Sequence, residues 1–167
     1  MRRYHRDVQL PAGLGIDVIG IPAGGHIILD VRLESVVEGV LVSGTASAVV
    51  TGQCARCLDL LNDRLEVALT ELFAYPDTAT DGTTDPDEVS RVVDGLVDLE
   101  PVVRDAVLLA LPQAPLCRED CLGLCPECGG KRAELGTDHR HETMDPRLAA
   151  LKTMLKQRLR GTEEENE

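Results

Sequence analysis

Residues 26–75 contain short runs in which aliphatic positions alternate with polar ones. In 26–37, Ile27, Leu29, Val31 and Leu33 fall on one side of an extended strand, and Ile28, Asp30, Arg32 and Glu34 on the other, because successive strand side chains point to opposite faces. Glu38-Gly39 marks a turn. Two further runs, 40–43 and 45–51, flank Gly44, and another spans 64–75, where Leu65, Val67, Leu69 and Glu71 oppose Glu66, Ala68, Thr70 and Leu72. Short β-rich runs punctuated by glycine predict an antiparallel β-sheet or partly closed barrel.

The pattern then changes. Residues 76–88 are almost wholly Asp, Thr, Gly and Pro and read as a solvated acidic loop. A helix is predicted over 98–111, with Asp98 as its cap, Pro101 in its first turn and Pro112 as its stop. Val102, Val103, Ala106, Val107, Leu109, Ala110 and Leu111 cover most of its circumference, so it is expected to be buried. Asp145-Pro146 opens a C-terminal amphipathic helix with an apolar stripe of Leu148, Leu151, Leu155 and Leu159. It also carries the densest basic group, Arg147, Lys152, Lys156, Arg158 and Arg160, and an acidic tail follows at 162–167. The expected organisation is an α+β core domain at 1–115, a small Cys/His metal module at 116–144, and the C-terminal helix and tail at 145–167.

Composition narrows this picture. With one Phe, two Tyr and no Trp in 167 residues, the core must be aliphatic. A net charge of −12 excludes nucleic-acid binding by bulk attraction, which draws on Lys and Arg displacing counterions. No apolar run approaches the roughly 18 residues of a membrane span, and no signal-length apolar stretch follows the charged start. These features suggest a cytoplasmic protein without a membrane partner, whose thiols stay reduced. Phosphate-binding loops, nucleophile elbows and His-Glu-x-x-His motifs do not occur, so neither an enzymatic role nor a small-molecule substrate is expected. His5 and His26 stand alone and read as surface residues.

The informative residues come in pairs: Cys54-x2-Cys57, Cys117-x3-Cys121, Cys125-x2-Cys128 and His139-x-His141. Thiolates and imidazoles are zinc donors, and a turn of two or three residues lets both members of a pair reach one tetrahedral ion. Eight donors make two four-coordinate sites. Keeping neighbours together puts Cys125 and Cys128 with His139 and His141 in a zinc-ribbon-like unit. Cys117 and Cys121 then reach back to Cys54 and Cys57. The competing partition joins Cys117, Cys121, Cys125 and Cys128 and leaves Cys54 and Cys57 as a reduced pair. Either way one or two structural Zn2+ ions are expected. Cys121-x3-Cys125-x2-Cys128 also has the spacing of radical S-adenosylmethionine enzymes, but the chain is too short for the barrel they need.

Four segments together resemble the YceD family, the large ribosomal RNA subunit accumulation proteins of bacteria and plastids. They are Gly52-Gln53-Cys54-Ala55-Arg56-Cys57-Leu58; Val97-Asp98-Leu99 with Val103-x-Asp105-Ala106-Val107; Leu116-Cys117-x3-Cys121-x-Gly123-Leu124-Cys125-Pro126-x-Cys128-Gly129; and Asp145-Pro146-Arg147-Leu148. The likeness runs from about Gly39 to Leu159. Where fuller members of that family carry two further Cys, or Cys and His, this chain has His139 and His141. The resemblance implies a ribosome-biogenesis factor supporting synthesis, processing or stability of large-subunit ribosomal RNA, with no known catalytic activity. Its expected partners are ribosomal RNA or a ribosome-assembly protein, contacted through Arg147, Lys152, Lys156, Arg158 and Arg160. The alternatives are an RNA-processing nuclease and a general zinc-ribbon protein–protein module.

Overall fold

The computed structural model describes residues 1–76, 78, 89–141, 148, 151 and 154. By their internal contacts the residues fall into two compact units, Met1–Leu124 and Cys125–Glu167. The first is a six-stranded, wholly antiparallel sheet, curled into a half-barrel, with one helix. Its strands are β1 (Arg2–Gln9), β2 (Leu14–Ile16), β3 (Ile19–Ile21), β4 (His26–Ser35), β5 (Gly39–Gln53) and β6 (Leu60–Ala74); the helix is α1 (Glu100–Ala110).

The central strand is β5. Its first half pairs with β4, from Ser35↔Val40 to Ile27↔Ala48, and its end pairs with β3 through Gly52↔Ile19. Along its other edge β5 runs fifteen residues in register with β6, from Gly39↔Ala74 to Gln53↔Leu60. Gly44 sits where β4 comes closest, since a Cβ there would lie 2.0 Å from the Asp30 carbonyl oxygen. The alternation seen in the sequence sets the faces: Ile27, Val31, Val42, Ala46, Ala48, Val50, Val67, Leu69 and Phe73 form the core. Burying such side chains gains about 1.5–3 kcal/mol each, which is what holds a sheet poor in aromatics together.

Helix α1 closes this core with Val103 and Val107, and Leu111 follows just after its end. The N-cap is Leu99, one residue later than expected and without a side-chain cap; Asp98, just before it, still accepts the Glu100 amide on its carboxylate at 3.0 Å. The helix is not buried all round as its composition suggests, because Leu109 is 88% exposed. Burial is confined to the stripe facing the sheet.

Strands β1–β3 are absent from the sequence-based expectation. β1 adds to β4 along its whole length, from Arg2↔Leu33 to Gln9↔His26, and β2–β3 is a three-residue hairpin. His5 on β1 and His26 on β4 lie exposed, paired with Asp30 and Asp7 at 3.2 and 2.6 Å. Most of the acidic segment and of the expected C-terminal helix lies outside the described residues; Leu148 and Leu151, expected on its apolar stripe, are exposed.

Candidate metal centres

Because β5 and β6 pair without slippage up to Gln53↔Leu60, the residues joining them are held at the hairpin tip. They contain Cys54 and Cys57. A tight turn orients the two thiols: the Leu58 amide donates to the Cys54 carbonyl at 2.9 Å, with Leu58 left-handed at φ 62. The Cys125–Cys128 turn repeats this device. There the Gly129 amide donates to the Cys125 carbonyl at 2.8 Å, with Gly129 at φ 69. Glycine takes that conformation without penalty, whereas leucine pays for it.

The segment after α1 locks onto the hairpin tip through three hydrogen bonds. The Ala55 amide donates to the Pro115 carbonyl at 2.7 Å and the Leu124 amide to the Arg56 carbonyl at 3.1 Å. The Arg56 guanidinium donates to the Cys121 carbonyl at 3.0 Å. This brings Cys117 and Cys121 beside Cys54 and Cys57, with all four sulfurs within 4.8 Å of one another. Cys54 and Cys121 sulfurs are 3.8 Å apart, and those of Cys57 and Cys117 3.6 Å. A tetrahedral ion with sulfur at about 2.3 Å sets neighbouring sulfurs about 3.8 Å apart, so the spacing suits zinc. Cys54 is fully buried, Cys57 and Cys121 nearly so, and Leu61, Leu116 and Leu124 pack around them.

In the second unit Cys125, Cys128, His139 and His141 likewise bring their donor atoms within 4.8 Å. The Cys125 amide donates to the Gly130 carbonyl at 2.8 Å, and the His139 amide to the Gly136 carbonyl at 3.0 Å, closing the loops that carry the donors. The Cys128 sulfur lies 3.6 Å from His139 Nε2, and the two histidine Nε2 atoms are 2.8 Å apart. The second distance is shorter than the edge of about 3.3 Å expected around zinc, so the imidazoles must part slightly to share an ion. This cluster is wetter, with Cys128 and His141 exposed.

Crowding separates the thiols electrostatically. Burial pushes Cys54 up, but the amides of Cys57, Cys117 and Arg56, helped by the Cys57 thiol, outweigh it and hold Cys54 at about 6. The Asp59 amide pulls Cys57 down, yet burial and the other three thiols push it up to about 12. Cys117 is raised as well, first by its hydrogen bond with Cys121 and then by burial. In the second cluster the amides of Cys128 and Glu127, with His139, hold Cys125 at about 6 against burial. Cys54 and Cys125 are therefore thiolates at neutral pH, and a bound cation is what would allow Cys57 and Cys117 to ionise too.

Among the described residues, these two sets are the groups of Cys, His and acidic side chains that could hold a metal. Cys117 and Cys121 lie with Cys54 and Cys57 rather than with Cys125 and Cys128, so the competing all-cysteine grouping does not form, and the cysteines with radical-enzyme spacing are divided between two clusters. Sequence reasoning missed the clamp made by Arg56 and the left-handed Leu58. The basic residues Arg147, Lys152, Lys156, Arg158 and Arg160 lie outside the described residues. No helix among the described residues is long and apolar enough to cross a membrane.

A curled antiparallel sheet whose hairpin tip shares four thiols with the segment after its helix, together with a Cys2His2 unit, defines a small α+β protein with paired candidate metal centres. The chain belongs to the YceD family, described as large ribosomal RNA subunit accumulation protein, which matches residues 42–155. Uncharacterized protein Rv2926c of Mycobacterium tuberculosis is 55% identical over 155 residues, covering 93% of this chain and 74% of the relative. Uncharacterized protein ML1660 of Mycobacterium leprae is 46% identical over 144 residues, 86% of this chain and 66% of the relative. Uncharacterized protein YlbN of Bacillus subtilis is 32% identical over 105 residues, 62% and 59% of the two chains. No solved structure matches.

Proposed function

We propose that this chain is a non-enzymatic, cytoplasmic factor that supports the synthesis, processing or stability of large-subunit ribosomal RNA, with two structural zinc ions. The family match carries the ribosomal part. The donor geometry supports the metal part, with Cys54, Cys57, Cys117 and Cys121 holding one ion and Cys125, Cys128, His139 and His141 the other. Four protein donors around each ion leave no open position for a reactive water, which is the mark of structural rather than catalytic zinc. Zinc would supply folding free energy by fixing the hairpin tip to the segment after α1.

The acidic balance of the chain favours an adaptor over an RNA sheath, with Arg147, Lys152, Lys156, Arg158 and Arg160 as its contact to ribosomal RNA or to an assembly protein. Two measurements test this. Metal analysis of purified protein should give two zinc ions per chain, with Cys54→Ser and Cys125→Ser each losing about half; a chain that binds none, or loses all zinc in either variant, refutes two independent centres. Depleting the protein in cells should lower the large-to-small subunit ribosomal RNA ratio, and an unchanged ratio refutes the ribosomal role.

A further inference from the structure

The N-terminal strand carries a charge pattern opposite to that of the chain as a whole. Within eight residues β1 has Arg2, Arg3 and Arg6 against one acid, Asp7, in a protein of net charge −12. β1 is also a free edge of the sheet, paired only with β4. Arg6 is accounted for, since its guanidinium lies over the Tyr4 ring at 5.8 Å. Arg3 is not. It has no ion-pair partner among the described residues, and in register it stands directly opposite Arg32 of β4.

Like charges directly opposite on adjacent strands destabilise a sheet, because their Cβ atoms are only about 5 Å apart. Such a pair is favourable only when something negative shares it. Glu34 does so in part, taking Arg32 Nη2 at 3.1 Å, but Arg32 Nε is buried with no hydrogen-bond partner. Asp30, the other nearby acid, is turned toward His5 Nδ1 at 3.2 Å. One position further across the sheet, Arg32 pairs with Ser43, whose hydroxyl lies on the same face. Arg3, Arg32 and Ser43 line one open depression of about 270 Å³ together with Val31 and Asp30, whose carboxylate is engaged by His5, and Gly44 adds no side chain to fill it.

We propose that this depression binds a phosphoryl group, held by the guanidinium groups of Arg3 and Arg32 and the Ser43 hydroxyl, with Arg32 turning to bring its sheltered Nε–H onto the ligand. A tetrahedral oxyanion can accept from donors arriving from three directions, and the guanidinium fork matches phosphate geometry. Bound there, it satisfies the orphaned Nε and separates the two positive charges. The phosphoryl group has two possible sources, the backbone of RNA and a small phosphorylated molecule or phosphate itself. The site is argued from charge, register, the unpartnered Arg32 Nε and the depression, and does not rest on the ribosomal role; the ribosomal RNA ratio in depleted cells tests that role separately.

The test is a titration of the isotope-labelled, zinc-loaded full chain with inorganic phosphate and, separately, with a short single-stranded RNA, followed by NMR at the Arg3, Arg32 and Ser43 amides and the Arg32 Nε–H. Movement of these signals is the expected result. RNA binding tighter than phosphate and weakening with salt identifies the RNA backbone as the source, whereas phosphate binding without tighter RNA binding identifies a small ligand. Arg3→Gln removes one of the opposed charges, so the free protein should melt no lower than wild type while its affinity falls about tenfold. Arg104→Gln, on the exposed face of α1, serves as the control and should leave affinity unchanged. Signals that stay fixed with both titrants, or binding weakened equally by Arg3→Gln and Arg104→Gln, overturn the site. So does RNA binding that survives Arg3→Gln without moving Arg32 or Ser43.

Discussion

Leu58 gives the sharpest test of how the first cysteine turn is built, because its backbone demands what leucine is poorly suited to supply. It closes the turn from the left-handed region at φ 62, where Gly129 stands in the second turn at φ 69. Replacing Leu58 by Ala or by Gly removes the same side chain in both cases. Leu58 is 58% exposed, so about two-fifths of it is covered, and either variant should lose on the order of 1 kcal/mol of burial. The two variants differ in the backbone. The left-handed conformation costs an L-residue about 1–2 kcal/mol that glycine avoids. Glycine's greater freedom in the unfolded chain costs back about 0.5–1 kcal/mol relative to alanine. The balance predicts that Leu58→Gly is more stable than Leu58→Ala by about 0.5–1 kcal/mol, the reverse of the usual order. In a chain of this length that is a difference of roughly 1–4 °C in melting temperature. Thermal unfolding at a buffered free zinc concentration measures it, since any ligand bound only by the folded state shifts the midpoint. An alanine variant that melts at or above the glycine variant would show that the turn does not hold residue 58 left-handed.

Two other predictions concern the same region. Arg56→Ala removes the guanidinium bond to the Cys121 carbonyl and should destabilise the chain by about 1.5–3 kcal/mol, a loss read from urea unfolding; an unchanged midpoint would mean that the clamp is dispensable. In metal-stripped protein, thiolate absorbance should show a step near pH 6 from Cys54 and Cys125, halved by Cys54→Ser or Cys125→Ser, while Cys57 ionises only toward about 12. The folded values of Cys54 and Cys125 lie below the ordinary thiol value. Their contribution to stability is therefore present above that value and lost as pH falls through about 6. Cys57 has the opposite sign, and its contribution is lost as pH rises toward about 12. A single thiolate step in the ordinary range would refute the separation.

What could be read in advance follows from which constraints are local. The alternation of Ile27, Leu29, Val31 and Leu33 announces β4 because one face meets a core. β1 gives no such signal: as an edge strand, exposed at every residue but Tyr4, it has no period in hydrophobicity to detect. The β2–β3 hairpin did leave a trace. Leu14-Gly15-Ile16 and Ile19-Gly20-Ile21 mirror each other, and Gly15 and Gly20 face each other so closely that a Cβ on either would meet the other's Cα within 2.6 Å. Leu109 looked buried because composition cannot say which side of a helix faces a sheet. The cysteine pairs were legible because two or three residues between thiols fix local geometry. The meeting of Cys54 with Cys121 depends instead on the chain from β6 to the segment after α1, which no local spacing encodes. Leu58 itself could have been flagged by aligning its turn with Cys125-x2-Cys128-Gly129.

The hairpin tip also has a consequence in time. Cys57 and its partner Cys117 are separated by sixty positions, so during synthesis half of the first tetrahedron emerges well before the other half. With zinc as the proposed occupant, the nascent sheet would carry only half of its donor set until α1 and the segment behind it have left the exit tunnel. Bringing ends so far apart together costs only a few kilocalories of chain entropy, growing with the logarithm of the separation. Metal uptake would therefore mark the point at which translation has passed the helix.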